Sequence, residues 1–343
     1  MLSKASQQSL DEPRGAAPMS DAHDPAHATT DEPFVSVIVP VYEYPEGIAT
    51  TLEALVTQTY PTERYEVVVV DNGSTDETPD VVREFADAHP QVRLVVERAG
   101  GSYAARNAGI GVARGSVFSF VDADMWVEPD WLGRIVDRLS ETEVDALACD
   151  VAIAAPSGEQ SLAERYNRRT AFPIQRYVED WGFAPTCCLT VRRDVFDDIG
   201  PFDARLDSSG DREFGNRLVA AGYKLVFAED VTMTHPPRTN LNSLVGKAVR
   251  IGVGRYQVRR YHPDRYGQPN MQLASPLNYT PPLPGSMANH VRDWEELPPT
   301  RQAMFLLLAW VLTLAKAYGT WHEALEFLGG AGGTPAGPST ETD

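Results

Sequence analysis

The sequence predicts a doubly wound, Rossmann-like α/β fold: a mostly parallel central sheet flanked by helices, with a helical C-terminal extension. Three observations carry it. From residue 34 onward, short β-branched runs alternate with stretches of helical spacing, the repetition that crossover-linked parallel strands produce. One run, Glu66 to Val70, is nearly all valine, as suits a strand buried on both faces. Several runs end abruptly in polar residues, and in open α/β sheets ligands bind beyond the carboxyl ends of the strands.

The elements follow in order. Phe34 to Val39 reads as a strand ending at Pro40, and Ile48 to Gln58 as a helix with apolar Ile48, Leu52, Leu55 and Val56 on one face. After the valine strand, Asp76 is placed to cap a helix from Glu77 to Ala88. Val92 to Val96 is a third strand, Ser102 to Val112 a small-residue helix, and Ser116 to Val121 a fourth strand that stops at Asp122. Beyond 150 the pattern loosens. A polar helix is expected over Leu162–Tyr177, a strand over Cys188–Arg192, an amphipathic helix over Arg212–Ala221 closed by Gly222, and strands over Lys224–Ala228 and Thr232–Thr234. Residues 236–328 read as helical around a Pro-rich loop, and 329–343 as a disordered tail. Residues 1–33, with two basic and six acidic side chains and no apolar period, read as a disordered acidic leader.

Composition narrows the function. The 343 residues carry 48 acidic and 30 basic side chains, a net charge of −18, which argues against coating nucleic acid. Four of the 30 basic residues are Lys, a composition like that of proteins from salt-loving organisms or of an ordinary acidic protein. Cys149, Cys187 and Cys188 have neither disulfide nor metal-ligand spacing, so a reducing, cytoplasmic interior is expected, without a signal peptide. No apolar run reaches about 18 residues. Residues 303–315 are almost wholly apolar yet short, and read as buried or as a peripheral contact at the cytoplasmic membrane face.

Three strand ends carry polar signatures: Pro40-Val41-Tyr42-Glu43, Asp71-Asn72-Gly73-Ser74-Thr75-Asp76 and Asp122-Ala123-Asp124. The third is the sharpest. Two carboxylates two residues apart, followed by Met125 and Trp126, put negative charge in an apolar setting, where a cation is the natural partner. Oxygen ligands suit Mg²⁺ or Mn²⁺, and such ions bridge phosphates. Taken alone, the pair is also consistent with a loop or cap.

With Ala105-Arg106-Asn107-Ala108-Gly109, Gly200-Pro201-Phe202-Asp203, Gly210-Asp211-Arg212-Glu213-Phe214 and Arg217-Leu218 to Gly222-Tyr223, these signatures occur in a fixed order across about 200 residues. In that order they resemble a family 2 glycosyltransferase of the GT-A fold. The resemblance implies a domain over 34–235, with a nucleotide-sugar half at 34–125 and an acceptor half at 126–235. It further implies transfer of a sugar from a nucleotide-diphosphate donor, commonly a UDP-sugar, to a hydroxyl of a glycan or lipid-linked glycan, with inversion and a divalent metal. Pro40, Val41, Tyr42 and Glu43 would border the nucleoside, Asp71 would accept from the base, Asp122 and Ala123 would lie near the ribose, and Asp124 would hold the metal. Asp211 matches the general base. Many members have Glu-Asp there where this chain has Gly210-Asp211, and a helix N-cap is the alternative role.

Ser102, Arg106 and Asn107, at a helix start after Gly100-Gly101, are candidates for phosphate contact, Arg106 equally for a buried ion pair. His235, after a strand and before Pro236, is a candidate second metal ligand or a structural histidine. Lys247, Arg250, Arg255, Arg259, Arg260 and Arg265 form a basic segment that suits a diphosphate, a lipid-linked phosphate, an anionic membrane or acidic neighbours. A nucleotide-sugar binder without strong activity, and a retaining transferase, remain alternatives at this stage, since fold alone does not decide chemistry.

Overall fold

The computed structural model describes residues 32–330, apart from 142–143, 156–157 and 159. The leader expected over 1–33 and the tail expected over 329–343 lie outside the described residues, but for two positions of each. From Pro33 onward the described residues form one compact unit.

The first half alternates as expected: β1 (Val35–Val41), α1 (Pro45–Val56), β2 (Tyr65–Asp71), α2 (Thr78–Ala88), β3 (Val92–Val96), α3 (Ser102–Val112) and β4 (Val117–Phe120). All four strands pair in parallel, in the order β3-β2-β1-β4. Every residue of β2 is buried, which explains its run of valines: helices cover both faces, so neither face needs polar side chains. The order in which strands join the sheet reverses between β1 and β4, and a crevice opens beyond their carboxyl ends.

The second half holds β5 (Trp126–Val127), α4 (Trp131–Glu141), β6 (Ala146–Ile153), α5 (Leu162–Thr170), α6 (Ile174–Trp181), β7 (Leu189–Arg192), α7 (Arg193–Ile199), α8 (Gly210–Ala220) and β8 (Leu225–His235). The sheet continues through β4-β7-β6-β8-β5, with β7 antiparallel to both neighbours. Three expectations change here. The helix read over Leu162–Tyr177 is two helices, because Phe172 takes a positive φ of 50° and Pro173 follows it. The two short strands read over 224–234 are one strand, β8, whose register shifts opposite Cys149 and Asp150. Strand β6 has no counterpart in the sequence reading; its alanines have weak strand preference, and burial at the sheet centre overrides it.

The extension comprises α9 (Leu241–Tyr261), α10 (Pro263–Tyr266), α11 (Pro269–Ala274), α12 (Pro284–Met287) and α13 (Pro299–Gly330). Helices α9 and α13 touch backbone to backbone. A Cβ on Gly252 would collide with the Lys316 carbonyl, and one on Gly319 with the Val249 carbonyl. Thr320 Oγ1 donates to the Gly252 carbonyl at 3.0 Å across the same contact. The apolar stretch read over 303–315 is thus the first part of a much longer helix. Lys316 does not end it, because its side chain lies along the α9 contact and lines a cavity. By length and composition α13 is apolar enough to cross a membrane, although a third of that span is buried within the fold.

Candidate active site

A cavity of about 1250 Å³ opens at the carboxyl ends of the parallel strands and is roofed by α9 and α13. Pro40, Val41 and Tyr42 enter it from the end of β1, Asn72 from β2, Ser102 and Arg106 from α3, and Asp122 from the loop after β4. Asp211 and His235 reach it from α8 and β8, so residues nearly 200 positions apart meet in one space.

Arg106 is buried, and its guanidinium Nη2 donates to Asp122 Oδ1 at 2.5 Å. Of its two expected roles, the structure displays the ion pair, which fixes Asp122 on the cavity wall. Two residues on, Asp124 has an oxygen, Oδ1, that is buried and makes no hydrogen bond. Burial pushes its carboxyl above the ordinary value; His235 opposes this and Asp122 adds to it by repulsion. His235 Nε2 lies 3.6 Å from Asp124 Oδ2, while Nδ1 lies 2.5 Å from the Pro236 carbonyl. A carbonyl can only accept, so Nδ1 carries a proton, and a neutral imidazole would offer its Nε2 lone pair beside Asp124. An orphaned carboxylate oxygen beside an imidazole lone pair is a pair of donor atoms that a divalent cation satisfies. Among the described residues no group of three His, Cys, Asp or Glu converges, so the chain supplies two ligands at most here. That suits a metal that keeps water and phosphate oxygens in its remaining positions.

Asp211 lies in the first turn of α8, half-buried, with Oδ1 accepting from the Arg212 N–H at 2.8 Å. The N-cap position belongs to Ser209, in left-handed backbone at φ 68°, without a side-chain cap bond. The Asp211 N–H donates to Tyr103 Oη at 3.1 Å. The Tyr103 ring also explains the neighbouring glycine: a Cβ at Gly210 would come within 2.7 Å of it. Burial, more than any other influence, raises the Asp211 carboxyl, with repulsion from Asp122 adding to it. The Arg212 N–H and the Arg106 charge pull the other way.

The remaining expected residues shape the site from behind. Asp71 is buried, and its carboxylate accepts from the Gly73 and Ser74 N–H groups at 3.2 Å, building the turn after β2. Glu43 takes φ 45°, its N–H donates to Ser74 Oγ, and its carboxylate accepts from Thr75 Oγ1. The β1 and β2 loops are thereby tied together. Ala123 is buried against α1 at Gly47. Asn107 faces away from the cavity and exchanges two hydrogen bonds with the Phe202 backbone, at 2.8 and 3.1 Å. Sequence reasoning missed Tyr103, Asn72 and Arg238 as cavity residues. Asn72 stood inside a quoted signature: its Oδ1 accepts from the Gly101 N–H and its amide donates to the Glu97 and Ala99 carbonyls, holding the glycine loop. Arg238 and Lys316 carried no local signal, because their relevance depends on how the extension folds back.

Comparison with known proteins accounts for this arrangement. Residues 36–200 match the model of the family described as glycosyl transferase family 2. Glycosyltransferase AglE of Haloferax volcanii is 42% identical over 231 residues, spanning 67% of this chain and 75% of the relative. The chain belongs to glycosyltransferase family 2. Glycosyltransferase GlyA of Streptococcus pneumoniae is 33% identical over 111 residues, 32% of this chain and 16% of that protein. Among solved structures, the mannosyltransferase PcManGT of Pyrobaculum calidifontis, in complex with GDP-Man and Mn²⁺, superposes with a TM-score of 0.52 at 23% identity. It covers 90% of this chain and 77% of the other. The fold is therefore GT-A, and the protein is a glycosyltransferase. The family match ends at residue 200, so Asp211, His235 and the helices over the cavity lie beyond it.

Because Asp211 titrates above the ordinary 3.8 when folded, its ionised form opposes folding at neutral pH and costs nothing below 3.8, where both states are protonated. Asp211→Asn should therefore raise the melting temperature of the ligand-free protein at pH 7, with the gain shrinking as pH falls toward 3.8. An equal or lower melting temperature at pH 7 would contradict the electrostatics described here.

Proposed function

We propose that the protein moves a sugar from a nucleoside-diphosphate donor, of the UDP type, to a hydroxyl of a glycan or lipid-linked glycan, with inversion and with Mn²⁺ or Mg²⁺. The observation that carries this reading is Asp124, which has one carboxylate oxygen unpartnered and the other 3.6 Å from His235 Nε2, beside the cavity that His235 and the half-buried Asp211 line. That PcManGT is known with a nucleotide sugar and Mn²⁺ supports the donor class. Asp124 and His235 would hold the metal, and a metal there offsets the charge that builds on a departing diphosphate. Pro40, Val41 and Tyr42 would border the nucleoside, with Asp71 and Asn72 keeping their loops in place. Arg106 holds Asp122 toward the donor.

The acceptor oxygen would form its bond to the anomeric carbon while its proton passes to the Asp211 carboxylate. The bond from that carbon to the diphosphate oxygen breaks, and its electron pair leaves with the nucleoside diphosphate. Attack opposite the leaving group inverts the centre. Burial, by raising the Asp211 carboxyl, makes it a stronger base than an exposed aspartate. Asp211→Asn should leave donor affinity intact and lower turnover by about 10²–10⁴-fold, the worth of a positioned base. Turnover near that of the unchanged enzyme would reduce Asp211 to a residue of the helix start.

A peripheral membrane contact is part of the same reading. Met304, Leu307, Val311, Leu314, Tyr318 and Trp321 are exposed along one stripe of α13, which extends the apolar face read over 303–315. Such a face can rest at a headgroup boundary of the cytoplasmic membrane. The protein should pellet with phosphatidylcholine vesicles, and Leu307→Asn with Leu314→Asn should leave it in the supernatant. Equal pelleting of both, or loss of a dimer on substitution as seen by light scattering, would assign the stripe to something else.

A further inference from the structure

The cavity holds more positive charge than the donor site accounts for. Arg238, Lys247, Arg250, Arg255 and Lys316 all line it, and none forms an ion pair among the described residues. Lys247 Nζ sits over the Phe172 ring at 5.2 Å, a weak substitute for a carboxylate. Burial drives both lysine ammonium groups down to about 8, with neighbouring cations adding to the shift. Unpaired cations are costly in such a place, above all in a protein of net charge −18 with carboxylates to spare. A cluster kept under these conditions is matched to an anion that arrives from outside.

The donor's diphosphate does not exhaust it. Arg238 feels the charges of Asp124 and Asp122. Lys316 instead interacts with Arg255 and Lys247, away from the strand ends. Arg255 lies eight residues along α9 from Lys247, about 12 Å at the helical rise, and Lys316, packed at Gly252 between them, feels both, so long side chains from two helices converge there. Lys247, Arg255 and Lys316 sit on α9 and α13, in the extension beyond the family match at 36–200. Lys247 is also close enough to Asp211 to feel its charge, so the cluster runs from the metal side past the base.

Resting on the function proposed above, we propose that the acceptor is itself an anion, and that its phosphate or diphosphate group is seated between Lys247, Arg255 and Lys316 while its hydroxyl reaches Asp211. The α9–α13 contact at Gly252 and Gly319 brings the two sides of this seat together, since a larger residue at either glycine would separate them. The phosphate could belong to a lipid carrier or to a soluble glycosyl phosphate; the site reads the same oxygens in both cases.

Calorimetry with inorganic pyrophosphate in EDTA tests this, because chelation removes any metal-dependent binding at the strand ends. Pyrophosphate should bind the unchanged protein and Asp124→Ala equally well. Lys247→Met, Arg255→Met and Lys316→Met should each weaken it by tenfold or more. The ligand-free variants should melt at or above the original temperature, since each removes an unpaired charge, whereas structural cations would lower it. No binding in EDTA, loss on Asp124→Ala, or indifference to the three substitutions would overturn the proposal. Donor binding with Mn²⁺, measured separately, shows whether the underlying function fails instead. Farnesyl diphosphate binding tenfold tighter than glucose 1-phosphate would identify a lipid carrier, the reverse order a soluble acceptor, and either supports an anionic acceptor.

Discussion

Asp122 and Asp211 line one cavity and Asp124 lies close to Asp122, whose repulsion of both sets the terms for what surrounds them. Arg106, buried behind the strand ends, neutralises the first at 2.5 Å. Asp124 and Asp211 receive less: one oxygen of Asp124 has no partner, and burial raises both carboxyls. A fold selected for stability alone would place amides or apolar groups here. The strain is tolerable because β2 and β4 beneath are wholly buried, and because the remaining charge suits ligands that bring the opposite sign.

The sheet supplies precision and the extension supplies enclosure. Loops after β1 and β2 are bound to each other through Glu43, Ser74 and Thr75, and the glycine loop before α3 is bound through Asn72. Asp211 is placed by a second set of contacts, from Tyr103 on α3, so Asp211 and the Asp122–Asp124 loop are referred to the same helix. Over this rigid floor, α9 and α13 close at two glycines and present cations to the cavity. Negative groups come from the sheet side and positive groups from the helical side, a polarity suited to holding a metal and phosphates between them.

The first half of the fold was legible because its code is local. Buried parallel strands demand continuous apolar runs, and helices between them demand the 3.6-residue period, so boundaries from β1 to α3 fell within a few residues. Strand β6 and the break at Phe172–Pro173 were not legible, since small residues gain their conformation from the sheet around them and a lone X-Pro inside a helical pattern can kink or end it. Within the site, the three acids and His235 were visible as sequence signals, while Asn107 and Asp71, expected at the donor, spend their side chains on backbone. The cations on α9 were visible only as a basic segment, and Lys316 only as an interruption of an apolar one. Their convergence depends on a helix crossing between positions more than 60 residues apart, which no local pattern encodes.

The central claim is that a divalent cation belongs between Asp124 and His235 and completes the donor site. Titration of a nucleoside diphosphate into the protein, with Mn²⁺ and with EDTA, tests it most directly when repeated on His235→Ala. The account predicts binding at least about tenfold tighter with Mn²⁺, a charged group's worth of interaction, with that advantage lost in His235→Ala. Equal affinity in Mn²⁺ and EDTA, or an advantage that survives removal of the imidazole, would contradict it.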